Sequence, residues 1–513
     1  MEFSLEDELA LLTNGEEYEF DNLVDLEDHS SIVQSINSVV DTITGESHLI
    51  KDQQVFDTFR SLIKRNNSQQ ATRRNLIRQV ASCVPSPSRA LTSPTTTTTP
   101  GFLAEIDATV KDEDFSDHTA YRSHRQALEM YAFLLQWFVT AAEKGAVSRA
   151  AKEGKEAGGA KKAGAKGKAV PKNKRKKDDF SWIDAISEVL TVMVKALRLK
   201  TERIWQTAPE RDTFVSNCFM KPANLIAESE AYMKIAEIKM GVYKVICVSA
   251  KTHGQAFSAQ MTIMQNLQYT EHLSEPMADL VTILAKEFDY SQLGEEVLRE
   301  IADKQFNGQD TKGPRSFSKF LIRLAETSPR LVLKQIALLQ KHLDSESYPM
   351  RNAILEVIGL LIKELSTTAG TDADPEVTKR QLHAFFDLLF ERFLDLNSYV
   401  RSKVVTVLIK TCDLPTKFPK LRVRLTELTI RSLTDKSSQV RRNCIALLTK
   451  LITTHPYGRL HGGELNLDEW TERSESLEKE LSVLDLPGRL EAEAMAEARE
   501  LMESGGEEEG GEE

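Results

Sequence analysis

At 513 residues the chain is too long for one ordinary hydrophobic core, so several domains or an extended repeat array are expected. With 41% hydrophobic and 28% charged residues it suits a soluble helical protein with a large solvated surface. The net charge of −11 excludes nothing about nucleic acid, because ten glutamates and one arginine in 491–513 account for most of it and the remainder is near neutral.

Two further classes are set aside at the same level. Cys83, Cys218, Cys247, Cys412 and Cys444 lie far apart with no C-x-x-C pair, which argues against a disulfide framework or a zinc site and fits a reducing compartment. The first residues, MEFSLEDE, lack a basic n-region, and no run of 18 or more apolar residues exists. Neither a signal peptide nor a membrane partner is expected.

In chain order, residues 1–83 read as an N-terminal helical region, with helices at 31–44 and 54–65. Residues 84–118 open on VPSPSRALTSPTTTTTPG, where proline removes backbone donors and threonine is a weak helix former, so a flexible linker is expected. Residues 119–144 form a helix packing on the array. Leu128, Tyr131, Leu134, Leu135 and Phe138 lie along one side, and Met130, Phe133 and Trp137 widen the stripe to more than one face. A second linker, 145–179, is rich in Lys, Gly and Ala and has too few large apolar residues to offset the entropy of ordering it. From 180 to 486 one amphipathic helical pattern follows another with only short breaks, and 487–513 is an acidic, disordered tail.

The organising feature of 180–486 is self-similarity. Asp395-Leu-Asn-Ser-Tyr-Val400-Arg401 matches Asp435-Lys-Ser-Ser-Gln-Val440-Arg441 at an offset of 40 residues. Upstream, Phe385, Leu388, Phe390 and Phe393 align with Leu425, Leu428, Ile430 and Leu433. Downstream, Val404, Val405, Val407 and Leu408 align with Cys444, Ile445, Leu447 and Leu448. A third copy, at looser spacing, runs from Asp344 to Met350-Arg351 and on to Ile354, Leu355, Val357 and Ile358. Each unit reads as a helix, a turn carrying Asp, and a second helix opening on Val-Arg or Met-Arg. One helix pair cannot bury its apolar face alone, whereas stacked pairs share a core. The pattern is that of HEAT repeats, and the fold expected is all-α, a HEAT-repeat α-solenoid with flexible linkers. Asp344, Arg351, Asp395, Arg401, Asp435 and Arg441 are read as a stacking ladder between repeats, a structural role rather than ligand binding. Leu408 and Leu448 are both expected to face the shared core.

Chemistry is missing from the pattern. There is no G-x-x-x-x-G-K-[ST], no H-E-x-x-H, no G-x-S-x-G, and no carboxylate pair singled out for acid–base work, so neither an enzyme nor a cofactor is expected. Two short features are candidates for regulation. Lys172, Lys174, Arg175, Lys176 and Lys177 form a basic run that fits a nuclear-import signal, and Ser86, Ser93 and Thr99 each precede proline, as a proline-directed kinase requires.

Beyond the generic repeat, FSKFLIRLAETSPRLVLKQIALLQKHLDSESYPMRNAILEVIGLLI from Phe317 resembles the hallmark segment of the condensin complex subunit 1 family, the non-ATPase HEAT-repeat subunits of condensin. The segment from Lys234 to Asp289 and YRSHRQALEMYAFLLQWF from Tyr121 are similar to the same family. The resemblance implies a non-catalytic scaffold that binds the kleisin and the structural-maintenance-of-chromosomes ATPases. It implies DNA or chromatin engagement through the complex during mitotic chromosome condensation, and residence in the nucleus and on chromosomes with a cytoplasmic pool. Family members are much longer, with further repeats C-terminal to the matched region, so an N-terminal portion or a truncated gene model is expected. The competing reading from the repeats alone is a HEAT-repeat transport receptor or another adaptor unrelated to chromatin.

Overall fold

The computed structural model describes residues 4–14, 106–111, 118–159, 182–367, 375–455 and 467–483, apart from isolated positions within them. Every regular element among the described residues is helical. Contacts divide the chain into two units, Met1–Leu361 and Ile362–Glu513, so the stretch 180–486 read as one array is split between them.

In the first unit, α1 (Leu5–Asn14) packs on α2 (His118–Gly159) through the buried Leu5. Along α2, Leu128, Met130, Phe133, Leu135, Trp137 and Phe138 are all buried, so this helix is enclosed on more than one face. Phe138 meets Trp182 edge-on at 5.6 Å, and the Trp182 indole N–H donates to Glu143 at 2.7 Å. Burial pushes the Glu143 carboxyl above its ordinary range, with the indole donor opposing it.

Two boundaries differ from the sequence reading. α2 does not stop at Lys144 but continues to Gly159. The Ala, Arg, Lys and Glu content of 146–157 favours helix strongly enough to carry Gly145 and Gly154, each costing roughly 1 kcal/mol relative to Ala. Within 84–118, Ile106 and Val110, one helical turn apart, are buried in short helical segments. The remainder of both linker stretches, the helices expected at 31–44 and 54–65, and the acidic tail lie outside the described residues.

After α3 (Trp182–Leu197), α4 (Ala208–Val215) and α5 (Lys221–Ala227) are joined without interruption by a π-helical turn, Ser216–Met220. Pro222 has no N–H to donate, and the widened turn lies immediately before it. Then follow α6 (Glu230–Met233), α7 (Ala236–Thr252), α8 (Ala256–Tyr269), α9 (Ser274–Glu287), α10 (Gln292–Asp303), α11 (Lys312–Thr327), α12 (Pro329–Leu339) and α13 (Tyr348–Thr367), whose last residues belong to the second unit.

These helices form two layers. α3, α7, α9 and α11 lie side by side in one, and α8, α10 and α12 in the other. Apolar residues at three- and four-residue steps produce this, for example Met277, Leu280, Val281 and Leu284 on α9 and Phe317, Phe320, Leu321 and Leu324 on α11, all buried. Gly294 on α10 permits the closest approach. A Cβ there would lie 2.7 Å from Leu331 and 2.8 Å from Val281, so only glycine lets α10 sit against both α9 and α12.

The second unit holds α14 (Pro375–Glu391), α15 (Ser398–Thr411), α16 (Pro419–Arg431), α17 (Ser438–Thr453) and α18 (Leu467–Val483). α14 packs on α16 and α15 on α17, which is one helix pair stacked on the next. The chain enters α16 through Phe418, held at φ 47° before Pro419, with its ring 5.1 Å from Phe386. The protein is an all-α HEAT-repeat solenoid fold, and α8–α9 and α10–α11 are repeats that carry no Val-Arg signature.

Candidate functional site: the turns between paired helices

In each signature repeat the first helix ends in a short 3-10 turn, namely Gln340–Asp344, Arg392–Leu394 and Ser432–Thr434. The next residue is extended and its side chain caps the turn. Asp395 Oδ1 accepts from the Asn397 N–H at 2.8 Å, and Asp435 Oδ1 from the Ser437 N–H at 2.7 Å. Asn397 caps α15 in turn, accepting from the Tyr399 N–H at 2.9 Å.

The arginine one turn into the second helix reaches back to the same loop. Arg401 Nη1 donates to the carbonyls of Asp395 at 2.7 Å and Leu396 at 3.2 Å. Arg441 Nη1 does so to Asp435 at 2.7 Å and Lys436 at 3.1 Å. Arg401 also crosses to the following repeat, its Nε 2.7 Å from Asp435 Oδ2 and its Nη2 2.9 Å from Asp435 Oδ1. Both side chains are largely buried, at 17% and 11% relative exposure. The hydrogen bonds from Arg401 hold the Asp435 carboxyl below its ordinary range, and Asp435 raises the Arg401 guanidinium in return.

The third copy corrects the register. Arg351 Nη1 donates to Ser345 O at 2.5 Å and Glu346 O at 3.4 Å, so Ser345 stands where Asp395 and Asp435 stand. Its Oγ accepts from the Ser347 N–H at 3.3 Å, the same capping bond. Asp344 is the last residue of the 3-10 turn and not the capping position. A shared Asp-to-Arg motif one residue too long hid the substitution of Ser for Asp.

Repeats without the signature are joined by other polar pairs that sequence inspection did not find. Between α9 and α11 these are Ser274 with Ser316 at 2.7 Å, Thr282 with Thr327 at 2.7 Å, and Arg323 Nε with Asp279 Oδ1 at 2.8 Å. Hydroxyls and charges are so common on helices that nothing in one sequence marks these. Buried histidines cap preceding helices: His253 Nε2 donates to Leu197 O at 2.6 Å, and His342 Nε2 to Ile301 O at 2.8 Å.

Burial pushes the Cys218 thiol far up, that of Cys247 to about 12 and that of Cys444 to about 11, so none is a thiolate near neutrality. Among the described residues no group of three or more His, Cys, Asp or Glu is placed to hold a metal ion. The cleft lined by Lys239, Glu271, Asp279 and Lys319 pairs its own charges, Lys319 with Glu271 at 2.9 Å and Lys239 with Asp279 at 3.9 Å. No described helix is long and apolar enough to cross a membrane. What the turns do present is apolar surface: Leu394, Leu396 and Tyr399 are exposed at one turn, Leu396 fully so. Lys172, Lys174, Arg175, Lys176 and Lys177, and Ser86, Ser93 and Thr99, lie outside the described residues.

Comparison with known proteins adds a family likeness. The model described as "non-SMC mitotic condensation complex subunit 1, N-term" matches residues 95–259. Condensin complex subunit 1 of Schizosaccharomyces pombe is 38% identical over 317 residues, 62% of this chain and 27% of that protein. Its counterpart in Saccharomyces cerevisiae is 38% identical over 306 residues, 60% of this chain and 25% of that one. Condensin-1 complex subunit CAP-D2 of Arabidopsis thaliana is 24% identical over 441 residues, 84% of this chain and 30% of that one. The chain therefore matches about a quarter of the length of the first two relatives, and over that stretch it is similar to the condensin complex subunit 1 family.

Proposed function

We propose that this chain acts as a non-catalytic scaffold of a condensin-type complex. It contacts the kleisin and the structural-maintenance-of-chromosomes ATPases, and takes part in mitotic chromosome condensation in the nucleus and on chromosomes. The observation that carries the reading is the 38% identity to condensin complex subunit 1 over 317 residues. Physical support comes from the helix pairs. Their turns are pinned by arginine and aspartate rather than built into a pocket, and Leu394, Leu396 and Tyr399 lie exposed beside them. A stack of that kind suits recognition of an extended segment along many turns. DNA is engaged through the assembled complex in this reading.

Affinity purification of the tagged chain from mitotic cells, with identification of co-purifying proteins, is the test. Recovery of a kleisin together with both ATPases is the expected result. Recovery of transport cargo or vesicle proteins, with neither ATPase nor kleisin, overturns the reading in favour of a HEAT-repeat transport receptor or adaptor.

A further inference from the structure

α8 differs from the helices that follow it in its layer. Its fourteen residues, Ala256–Tyr269, include no acid, lysine, arginine or histidine. Ala259, Ile263 and Leu267 are buried on its inner side. The opposite side carries Phe257, Met261 and Tyr269 at 72%, 41% and 78% exposure, with exposed Gln265 and Gln268 among them. Further along the layer the outward positions include charged residues, Arg299 and Asp303 on α10 and Arg330 and Lys334 on α12. A charged outer side therefore serves the stack equally well, and the packing of α8 does not require Phe257 and Met261, one turn apart, to be apolar.

The acids of α10 divide between its two neighbours. Toward α12, Glu295 meets Lys334 at 3.4 Å and Arg299 at 3.5 Å, and Asp303 meets Lys341 at 3.4 Å. Toward α8, Glu300 accepts from the side-chain amide of Gln260 at 2.7 Å, and Glu296, one turn earlier, from that of Gln292 at 2.8 Å. Both donors are neutral amides, so the negative charge of this seam is left uncompensated. Gln260 adjoins Met261, which sets Glu300 along the edge of the apolar face.

We propose that the α8–α10 seam is a docking site for a basic amphipathic helix of a partner protein. Its apolar side chains sit on Phe257 and Met261, and its lysines or arginines lie over Glu296 and Glu300. Phe257 and Met261 are four residues apart, and so are Glu296 and Glu300, so a helix with an apolar and a basic stripe side by side matches both rows. Charge selects the sign of the partner, since an acidic helix would be held against two carboxylates. Gln265 and Gln268 lengthen the contact surface without adding charge of either sign. The site is built from α8 and α10 alone and does not depend on which assembly the chain enters.

The test uses the tagged full chain in cells, with Phe257→p-benzoylphenylalanine as a photocrosslinker and the joined peptide sequenced by mass spectrometry. The expected product links position 257 to a segment of another protein that has apolar residues three or four apart and lysine or arginine between them. Glu296→Gln/Glu300→Gln, which keeps hydrogen-bonding side chains in both places, is expected to lower the yield about fivefold or more. Met261→Ser, at an exposed position, should lower it from the apolar side, and both variants should melt like the parent chain. Crosslinks confined to this chain, to a second copy of it or to an acidic segment overturn the proposal. So does the absence of any crosslink, or a yield that neither variant changes.

Discussion

Arg401 and Asp435, 34 residues apart, meet in a two-pronged ion pair with N···O distances of 2.7 and 2.9 Å, and the same arginine holds the carbonyl of Asp395 in its own turn. One guanidinium thus ties the turn of α14–α15 to the turn of α16–α17. The pair is shielded from water and both partners are fixed by further bonds, which sets it apart from the exposed pairs that contribute little. Asp435→Asn is expected to destabilise the second unit by about 1.5–3 kcal/mol, and a double-mutant cycle with Arg401→Gln should return most of that as coupling. The sign with pH follows from the lowered Asp435 value: the contribution is complete above the ordinary carboxylate pKa near ~4 and disappears as pH falls through the depressed folded value. Thermal melts of the four proteins between neutral and acidic pH check both statements. Equal melting temperatures for wild type and Asp435→Asn at neutral pH would show that the bridge contributes nothing.

Leu408 and Leu448 occupy equivalent positions but unequal surroundings, the first wholly buried and the second half-buried. Leu408→Ala should cost about 2–5 kcal/mol, and Leu448→Ala distinctly less, on the order of 1 kcal/mol. Lys410→Ala should stay within about 0.5 kcal/mol. Lys450→Ala removes a 2.6 Å pair with Asp413 and should cost no more than about 1 kcal/mol. Chemical denaturation of the four variants ranks them; a ranking with Leu448 above Leu408 contradicts the placement of the stacking face.

Gly294 is fixed by the space around it rather than by backbone conformation. Gly294→Ala sets a methyl carbon less than 3 Å from Leu331 and Val281, and is expected to destabilise by about 1–3 kcal/mol although alanine is the better helix former. Gly294→Ala paired with Leu331→Ala relieves the closer contact, so the double variant should lose less than the sum of the two single losses.

Burial lowers the pKa of His253 and of His342, with their backbone hydrogen bonds acting in the opposite sense. Folding therefore favours the neutral rings, and this contribution is complete above the ordinary histidine value near ~6.5 and falls away as pH drops through the lower folded values. Melting temperature should decline between pH 7.5 and 5. His342→Gln, which keeps a donor for the Ile301 carbonyl, should show a shallower decline. An identical acid limb in the variant would assign the effect to other groups.

The basic run at 172–177 yields a prediction that needs no structure. Replacing Lys172, Lys174, Arg175, Lys176 and Lys177 by alanine should reduce interphase nuclear accumulation of a fluorescent fusion. Unchanged accumulation would leave the run as a solubilising stretch of charge.

Amino-acid order by itself determined the helical class, the 40-residue period and the alignment of Val400-Arg401 with Val440-Arg441, because apolar spacing and turn chemistry are local properties that recur in every copy. It also carried the resemblance to a family, through strings such as the one beginning at Phe317. Tertiary structure alone decided what each apolar stripe meets. Val405 and Ile445 are the same position in the period, yet one is sealed and the other open, since periodicity marks a face and not its cover. Ser345 took the place assigned to Asp344 because the arginine recognises turn carbonyls, which every residue has, and a serine hydroxyl caps the turn as a carboxylate does. The repeats α8–α9 and α10–α11 left no signature, for their helices are joined by hydroxyl pairs and by scattered polar links such as Arg323–Asp279 and Gln260–Glu300. Contacts of that kind exist only once the stack has brought residues about 40 to 45 positions apart into register.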